Sequence, residues 1–208
     1  MKQEIRLYKD KDREEIRKIA TATASGYPRS DLQLVADLLT EYYVTYEPEH
    51  LLVAERKGRV IGYLSGCFYS ARCRWVKTFR VIPKAIFKAF FRGEIGWREV
   101  RYLGSLAYVA IHGGTRNNPP DGYPAHFHIN VAEGARGLGI GSKLVEKFLT
   151  MLKEADVSGV HVRVRQNDKR ASDFFKKFGF SREYGYPTLL ADGKEFRTSR
   201  SIIYTKDL

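Results

Sequence analysis

Cysteine, methionine and tryptophan are scarce, with two of each in 208 residues. Cys67 and Cys73 stand six apart, without the short paired spacings of a zinc ribbon or finger, so neither a disulfide framework nor a metal site is expected. Thiols used this sparingly suit a reducing compartment, and we read both as reduced and the protein as cytoplasmic. No apolar run approaches the roughly 18–20 residues of a membrane span. The first residues, MKQEIRLYKDKDREE, lack the apolar core of a secretory leader. No repeat, low-complexity tract or linker interrupts the chain, whose length is that of one domain over residues 1–208. Acid is scarce relative to base: 24 Asp and Glu against 36 Lys and Arg leave a net charge of +12.

What the chain does have is core material, since 43% hydrophobic content is ample for one, and the patterning says how it is used. Glu4 to Tyr8 reads as a strand, and Asp12 can cap a helix that keeps Ile16, Ile19 and Ala20 on one face. Ser30 or Asp31 starts a second helix, with Leu34, Val35 and Leu38 in its apolar stripe. Two strands flank Arg56-Lys57-Gly58, a hairpin signal. A strand at Ala125 to Val131 leads to a helix from about Gly139, then a strand at Gly159 to Arg165 and a helix from Asp168 to Phe178. A second hairpin turns at Ala191-Asp192-Gly193, and Ser199 to Tyr204 closes the chain as a strand. The result is an α/β fold.

The densest information lies in AHFHINVAEGARGLGIGSK, residues 125–143. A short strand runs into Arg136-Gly137-Leu138-Gly139-Ile140-Gly141 and a helix follows at once. Alternate glycines let backbone N–H groups converge, and the helix N-terminus adds partial positive charge, a geometry suited to a pyrophosphate. Spacing separates three readings. A dinucleotide fold wants G-x-G-x-x-G with an acidic residue about 20 further on, but the next strand, VHVRVR, is basic. A nucleotide P-loop wants G-x-x-x-x-G-K-[ST], whereas Gly141-Ser142-Lys143 has the order reversed.

The third reading fits. R-G-x-G-x-G between a strand and a helix resembles the coenzyme A loop of the GNAT superfamily of acetyl-CoA-dependent N-acetyltransferases, with Arg136, Gly139 and Gly141 on its pattern. Further on, Asn167, Ala171, the pair Phe174-Phe175 and Gly179-Phe180 resemble that superfamily's second signature. The resemblance implies a GNAT-like mixed, mostly antiparallel central sheet with flanking helices. It implies acetyl transfer from acetyl-CoA, as co-substrate, to an amine on a small molecule or a protein, by direct attack in a ternary complex. The backbone of Ile129 and Val131 would then run beside the pantetheine arm. Gly137, Leu138, Gly139, Gly141 and Ser142, with Arg136, would hold the pyrophosphate; Asn167 would bond the pantetheine, and Phe174 and Phe175 would pack along it.

Two positions depart from the superfamily's habit. The strand before the loop carries no Asp or Glu to act as base, so His126 and His128 are the nearest titratable groups, and His128 is our choice. Phe175 stands where many members place a Tyr that protonates the departing thiolate, leaving Tyr184 or Tyr186 to reach the sulfur, of which we take Tyr186. These departures keep open a second expectation, an acyl-CoA-binding or interaction module that has lost the chemistry.

Residues 71–104 lie outside the superfamily's minimal pattern and form a basic helical insertion, with nine cations against Glu94 and Glu99. Lys77, Arg80, Lys84, Lys88 and Arg92 share one helix face, while Phe79, Ile82, Ile86 and Phe90 recur at the same period and are expected in the core. No RNA-recognition or zinc-finger pattern accompanies the charge, so no nucleic-acid or membrane partner is signalled. The sequence leaves the oligomeric state open, although a closing hairpin with a free edge could pair between subunits in a homodimer.

Overall fold

The computed structural model describes residues 3–24, 32–93, 95–97, 100, 104, 121–191 and 196–208, with side chains at all of these except 32, 182–184, 186–191 and 196–200. Seven strands form one sheet: β1 (Glu4–Leu7), β2 (Leu51–Arg56), β3 (Arg59–Cys67), β4 (Ala125–Val131), β5 (Gly159–Arg165), β6 (Arg182–Ala191) and β7 (Phe196–Asp207). Their spatial order is β1-β2-β3-β4-β5-β7-β6. Every neighbouring pair is antiparallel except β4 with β5. Lys57 and Gly58, at φ 53° and 74°, make the tight turn from β2 to β3, the backbone signs that a two-residue hairpin requires.

Strand alternation divides the apolar residues between two faces. On one, Leu52, Leu64, Phe127, Val160 and Val162 pack against Ile140, Leu144, Val145, Phe148 and Leu152 of the helix α5 (Ile140–Glu154). Phe175 of α6 (Lys169–Lys176) and Phe180 complete that core. On the other, Leu51, Val53, Tyr63 and Cys67 meet Ile16, Ile19 and Ala20 of α1 (Arg13–Thr23) and Tyr42 and Tyr43 of α2 (Leu32–Tyr46). The helix starts at Ser30 or Asp31 and the turn at Asp192-Gly193 fall outside the described residues.

The insertion begins as expected and then departs. α3 (Ser70–Val76) continues through a π-helical turn (Lys77–Val81) into α4 (Ile82–Phe91), with Pro83 in the first turn of α4. The residues turned inward are Cys73, Val76, Val81, Ala85 and Ala89, and the two alanines pack against Leu34 and Leu38 of α2. Phe79 and Phe90, expected in the core, are exposed, and Ile82 and Ile86 are only half-buried. The π turn adds a residue to one turn and so shifts the helix register, and the small alanines let α4 lie close on α2. Residues 94, 98, 99 and 101–103 lie outside the described residues.

Candidate functional site

The one parallel junction is also where the sheet opens. β4 and β5 are in register only at Ala125 with Val160 and His126 with His161. Beyond these, β4 runs on to Val131 and β5 to Arg165 without pairing. On its other edge β4 stays paired with β3 as far as Val131 opposite Gly62. The Ala132 N–H donates to the Ile61 carbonyl at 2.9 Å in that same register, which fixes the alternation. Asn130 and His128 therefore turn their backbone groups to β3, and Ile129 and Val131 turn theirs into the gap. A strand edge left open inside a sheet is a docking place for an extended, amide-bearing arm.

At the end of that gap stands the glycine loop. Gly137 and Gly139 have φ of 83° and 73°, and α5 starts at Ile140. The Arg136 N–H donates to the Glu133 carbonyl and the Lys143 N–H to that of Gly139. Between them, the N–H groups of Gly137 to Ser142 have no backbone acceptor among the described residues. Six donors at the start of a 15-residue helix, with Arg136 and Lys143 exposed beside them, form a site for an anion. Gly141 has a different setting. A Cβ there would make ordinary contact with the Phe174 ring at 3.4 Å and with Ile129 at 3.6 Å, so Gly141 lies between these two side chains.

The second signature is divided by the structure. Asn167 is exposed in the turn after β5, and Asp168 caps α6 by accepting from the Ala171 N–H at 2.9 Å. Phe174 is half-buried beside Gly141. Phe175 is buried with Phe127 and Phe180, at ring separations of 5.8 and 5.6 Å, and serves the core. Of the aromatic pair, Phe174 is the member left at the groove. The Tyr186 residue pairs with Ser201 through its strand, and its side chain lies outside those described.

His126, His128 and Asn130 face the other side of the sheet. Ser70 donates its O–H to the Pro124 carbonyl at 2.6 Å, and the same oxygen lies 2.6 Å from His126 Nδ1. Tyr43 Oη is 3.1 Å from His126 Nε2. One proton arrangement satisfies all three contacts: His126 Nδ1–H donates to Ser70, and Tyr43 donates to Nε2. His126 is thus a neutral, fully engaged imidazole, held well below its ordinary pKa by burial and by the neighbouring histidines and cations. Asn130 is engaged too, donating to Tyr63 Oη at 2.8 Å and accepting from Thr23 at 3.0 Å, which ties α1 to the sheet.

His128 differs in being exposed. Its ring lies 6.0 Å from that of Tyr43 and 5.6 Å from that of His126. Desolvation by the surrounding protein, then the charges of Lys77 and Arg163, hold its pKa down to about 3, so the ring is neutral near pH 7. The Lys77 ammonium sits over the Tyr43 ring, 4.8 Å from its centre.

Spacing along the chain had hidden one cluster. Cys67 at the end of β3, Cys73 on α3 and His126 bring their ligand atoms within 4.8 Å of one another. Cys67 donates to Glu47 Oε1 at 3.6 Å, which also accepts from Tyr42 at 2.5 Å, while Glu47 Oε2 meets His50 at 3.1 Å. The His126 nitrogens and the Cys67 thiol thus already have protein partners, and we assign no metal to them. The pieces come from α2, β3, α3 and β4, so no local spacing could have announced the cluster.

Residues 99–182 match the family model of the acetyltransferase (GNAT) domain. Among solved structures, the chain aligns with SsHAT at a TM-score of 0.67 and 20% identity, covering 100% of this chain and 98% of that one. It aligns with an N-acetyltransferase from Staphylococcus aureus Mu50 at 0.61 and 17%, covering 100% and 99%. A ribosomal-protein-alanine N-acetyltransferase from Brucella melitensis gives 0.60 and 16%, covering 99% of each chain. At such identities the likeness is one of fold, and it extends along the whole of each chain.

Proposed function

We propose that this chain, whose residues 99–182 match the family model of the acetyltransferase (GNAT) domain, is an acetyltransferase that moves an acetyl group from acetyl-CoA to an amine. The observation that carries this reading is the parting of β4 and β5, together with the amides of residues 137–142 that have no backbone acceptor among the described residues. An extended pantetheine arm takes the place of the missing strand pairing at Ile129 and Val131. Its diphosphate sits on the N–H groups of Gly137 to Ser142, with Arg136 and Lys143 adding charge. Phe174 and Ile129 flank the arm, and Asn167 bonds it from the β5 side.

The amine nitrogen attacks the thioester carbonyl carbon, and a backbone N–H near Val131 stabilises the oxyanion that forms. A preorganised donor of this kind is worth about 2.7–4 kcal/mol. His128, accessible and neutral, accepts the proton released by the amine, directly or through water. The carbon–sulfur bond then breaks, and Tyr186 or solvent protonates the thiolate. The acceptor is an amine of a small molecule or of a protein. We take residues 1–208 to work as a single unit in the cytoplasm, with a homodimer through the β6 edge as its oligomer.

The test is a pair of measurements on the full chain. Acetyl-CoA should raise the melting temperature, and a panel of polyamines, amino acids, aminoglycosides and peptide N-termini should release free thiol with at least one member. Binding without thiol release on any amine would replace the enzyme by an acyl-CoA-binding module, a reading favoured by the lack of a carboxylate on β4. No thermal shift with any CoA ester would end both.

A further inference from the structure

The helical stretch from Ser70 to Phe91 has a face that acetyl transfer does not use. Its residues fall into ridges four apart, each ridge one strip of the helix surface. Cys73, Val81, Ala85 and Ala89 form the strip turned to the protein. Trp75, Phe79, Pro83, Phe87 and Phe91 form the strip two residues on, about 200° further round and so nearly opposite. Its four aromatic members are 54%, 65%, 64% and 70% exposed. Neighbouring rings meet along the strip, with Trp75 5.6 Å from Phe79 and Phe87 4.6 Å from Phe91. Beside this strip runs another, Arg80, Lys84, Lys88 and Arg92, all exposed. From Ser70 to Arg92 there are seven cations and no acidic residue.

A row of uncovered rings on one helix is more apolar surface than a soluble monomer ordinarily shows, and its occupant must be apolar along one line and negative along the next. A second copy of this chain would bring cation strip against cation strip, a repulsive pairing. A nucleic acid would answer the charge, but the rings are tilted against each other, at 48° and 53°, and fill the spaces where bases would stack. An anionic bilayer surface answers both. Its headgroup boundary accepts aromatic rings, and its phosphates face the cations. No helix among the described residues is long and apolar enough to cross a membrane, so the element lies along the surface.

We propose that α3, the π turn and α4 form a docking element that lies on an anionic membrane, with the Trp75–Phe91 strip sunk into the headgroup boundary. The inference does not depend on the acetyl-transfer reading. The same segment supplies Lys77, which sits over Tyr43 near His128, so docking would hold the acceptor side of the sheet near the lipid.

Co-sedimentation of the full chain with vesicles tests it. Vesicles containing phosphatidylglycerol should pellet the protein and shift tryptophan emission to the blue, and pure phosphatidylcholine vesicles should do so weakly. The F87S/F91S double variant should bind about tenfold or more weakly, and K84E/K88E should fall by a similar factor. Both change exposed positions, and an unchanged acetyl-CoA thermal shift or circular dichroism spectrum would show that the fold is kept. Loss of binding in K84E/K88E with none in F87S/F91S would mean charge alone acts and would overturn the insertion of the rings. Absence of pelleting would overturn the proposal, whether alone, with tight single-stranded DNA binding, or with a dimer that F87S/F91S dissociates.

Discussion

Gly139 holds φ at 73° with nothing within 4 Å of where a Cβ would stand, so a side chain there is opposed by the backbone and not by neighbours. The left-handed conformation costs an ordinary residue about 1–2 kcal/mol. Gly139→Val should therefore fold with a melting temperature lower by several degrees and show no rise with acetyl-CoA, because its branched side chain points where the diphosphate would sit. Gly141→Ala, whose Cβ would make ordinary contact with Phe174, should keep most of that rise. Equal loss in both variants would mean that loop packing, not amide exposure, creates the site. For His128, replacement by Ala should lower kcat by about 10²–10⁴ with the KM for acetyl-CoA little changed. A variant with unaltered kcat would move the base elsewhere. The choice of His128 from HFHIN has no local feature to separate it from His126, because both lie on one strand face. The separation comes from Tyr43 and Ser70, residues distant in sequence, which consume both nitrogens of His126.

Among the elements, β3 shows how closely a strand and a helix can be fitted. At Gly66 a Cβ would stand 2.0 and 2.5 Å from the Phe148 ring of α5 and 2.9 Å from the His50 carbonyl. Gly66→Ala should cost about 1–3 kcal/mol, read as a lower urea midpoint with an unchanged slope. A stability equal to the parent's would show that α5 can slide. The glycine loop and α5 were legible because turn chemistry and a period of 3.6 are local properties. The insertion was legible as a helix but not in its orientation. Phe79 and Phe90 carry the helical period that ordinarily marks a core, yet the protein took Val81, Ala85 and Ala89 instead. Which apolar strip of an all-round amphipathic helix turns inward depends on the surface it meets, here Leu34 and Leu38 of α2.

Across the whole molecule, three imidazoles are gathered where a proton is unwelcome. Burial holds His126 and His161 below the ordinary value of 6.5, and enclosure lowers His128 in the same direction. The unfolded chain then takes up protons first, so their contribution to stability is complete above about pH 6.5 and is lost as pH falls below it toward the folded values. Asp12 and Glu47, also lowered, act only below 3.8 and 4.5. Urea unfolding should therefore show stability nearly flat from about pH 8 to 7 and falling by up to roughly 2 kcal/mol for each buried imidazole by about pH 5. A flat profile across that window would mean that the folded protein accepts these protons.

The sequence by itself determined the order of strands and helices, the hairpin at Lys57-Gly58 and the amide-rich start of α5, since each depends on residues adjacent along the chain. The tertiary structure alone decided that β4 and β5 part after His126, that Phe174 and not Phe175 faces the groove, and that two cysteines and a histidine meet beneath the sheet. These outcomes depend on how strands diverge and which surfaces come into contact, and both are fixed only when distant segments pack together.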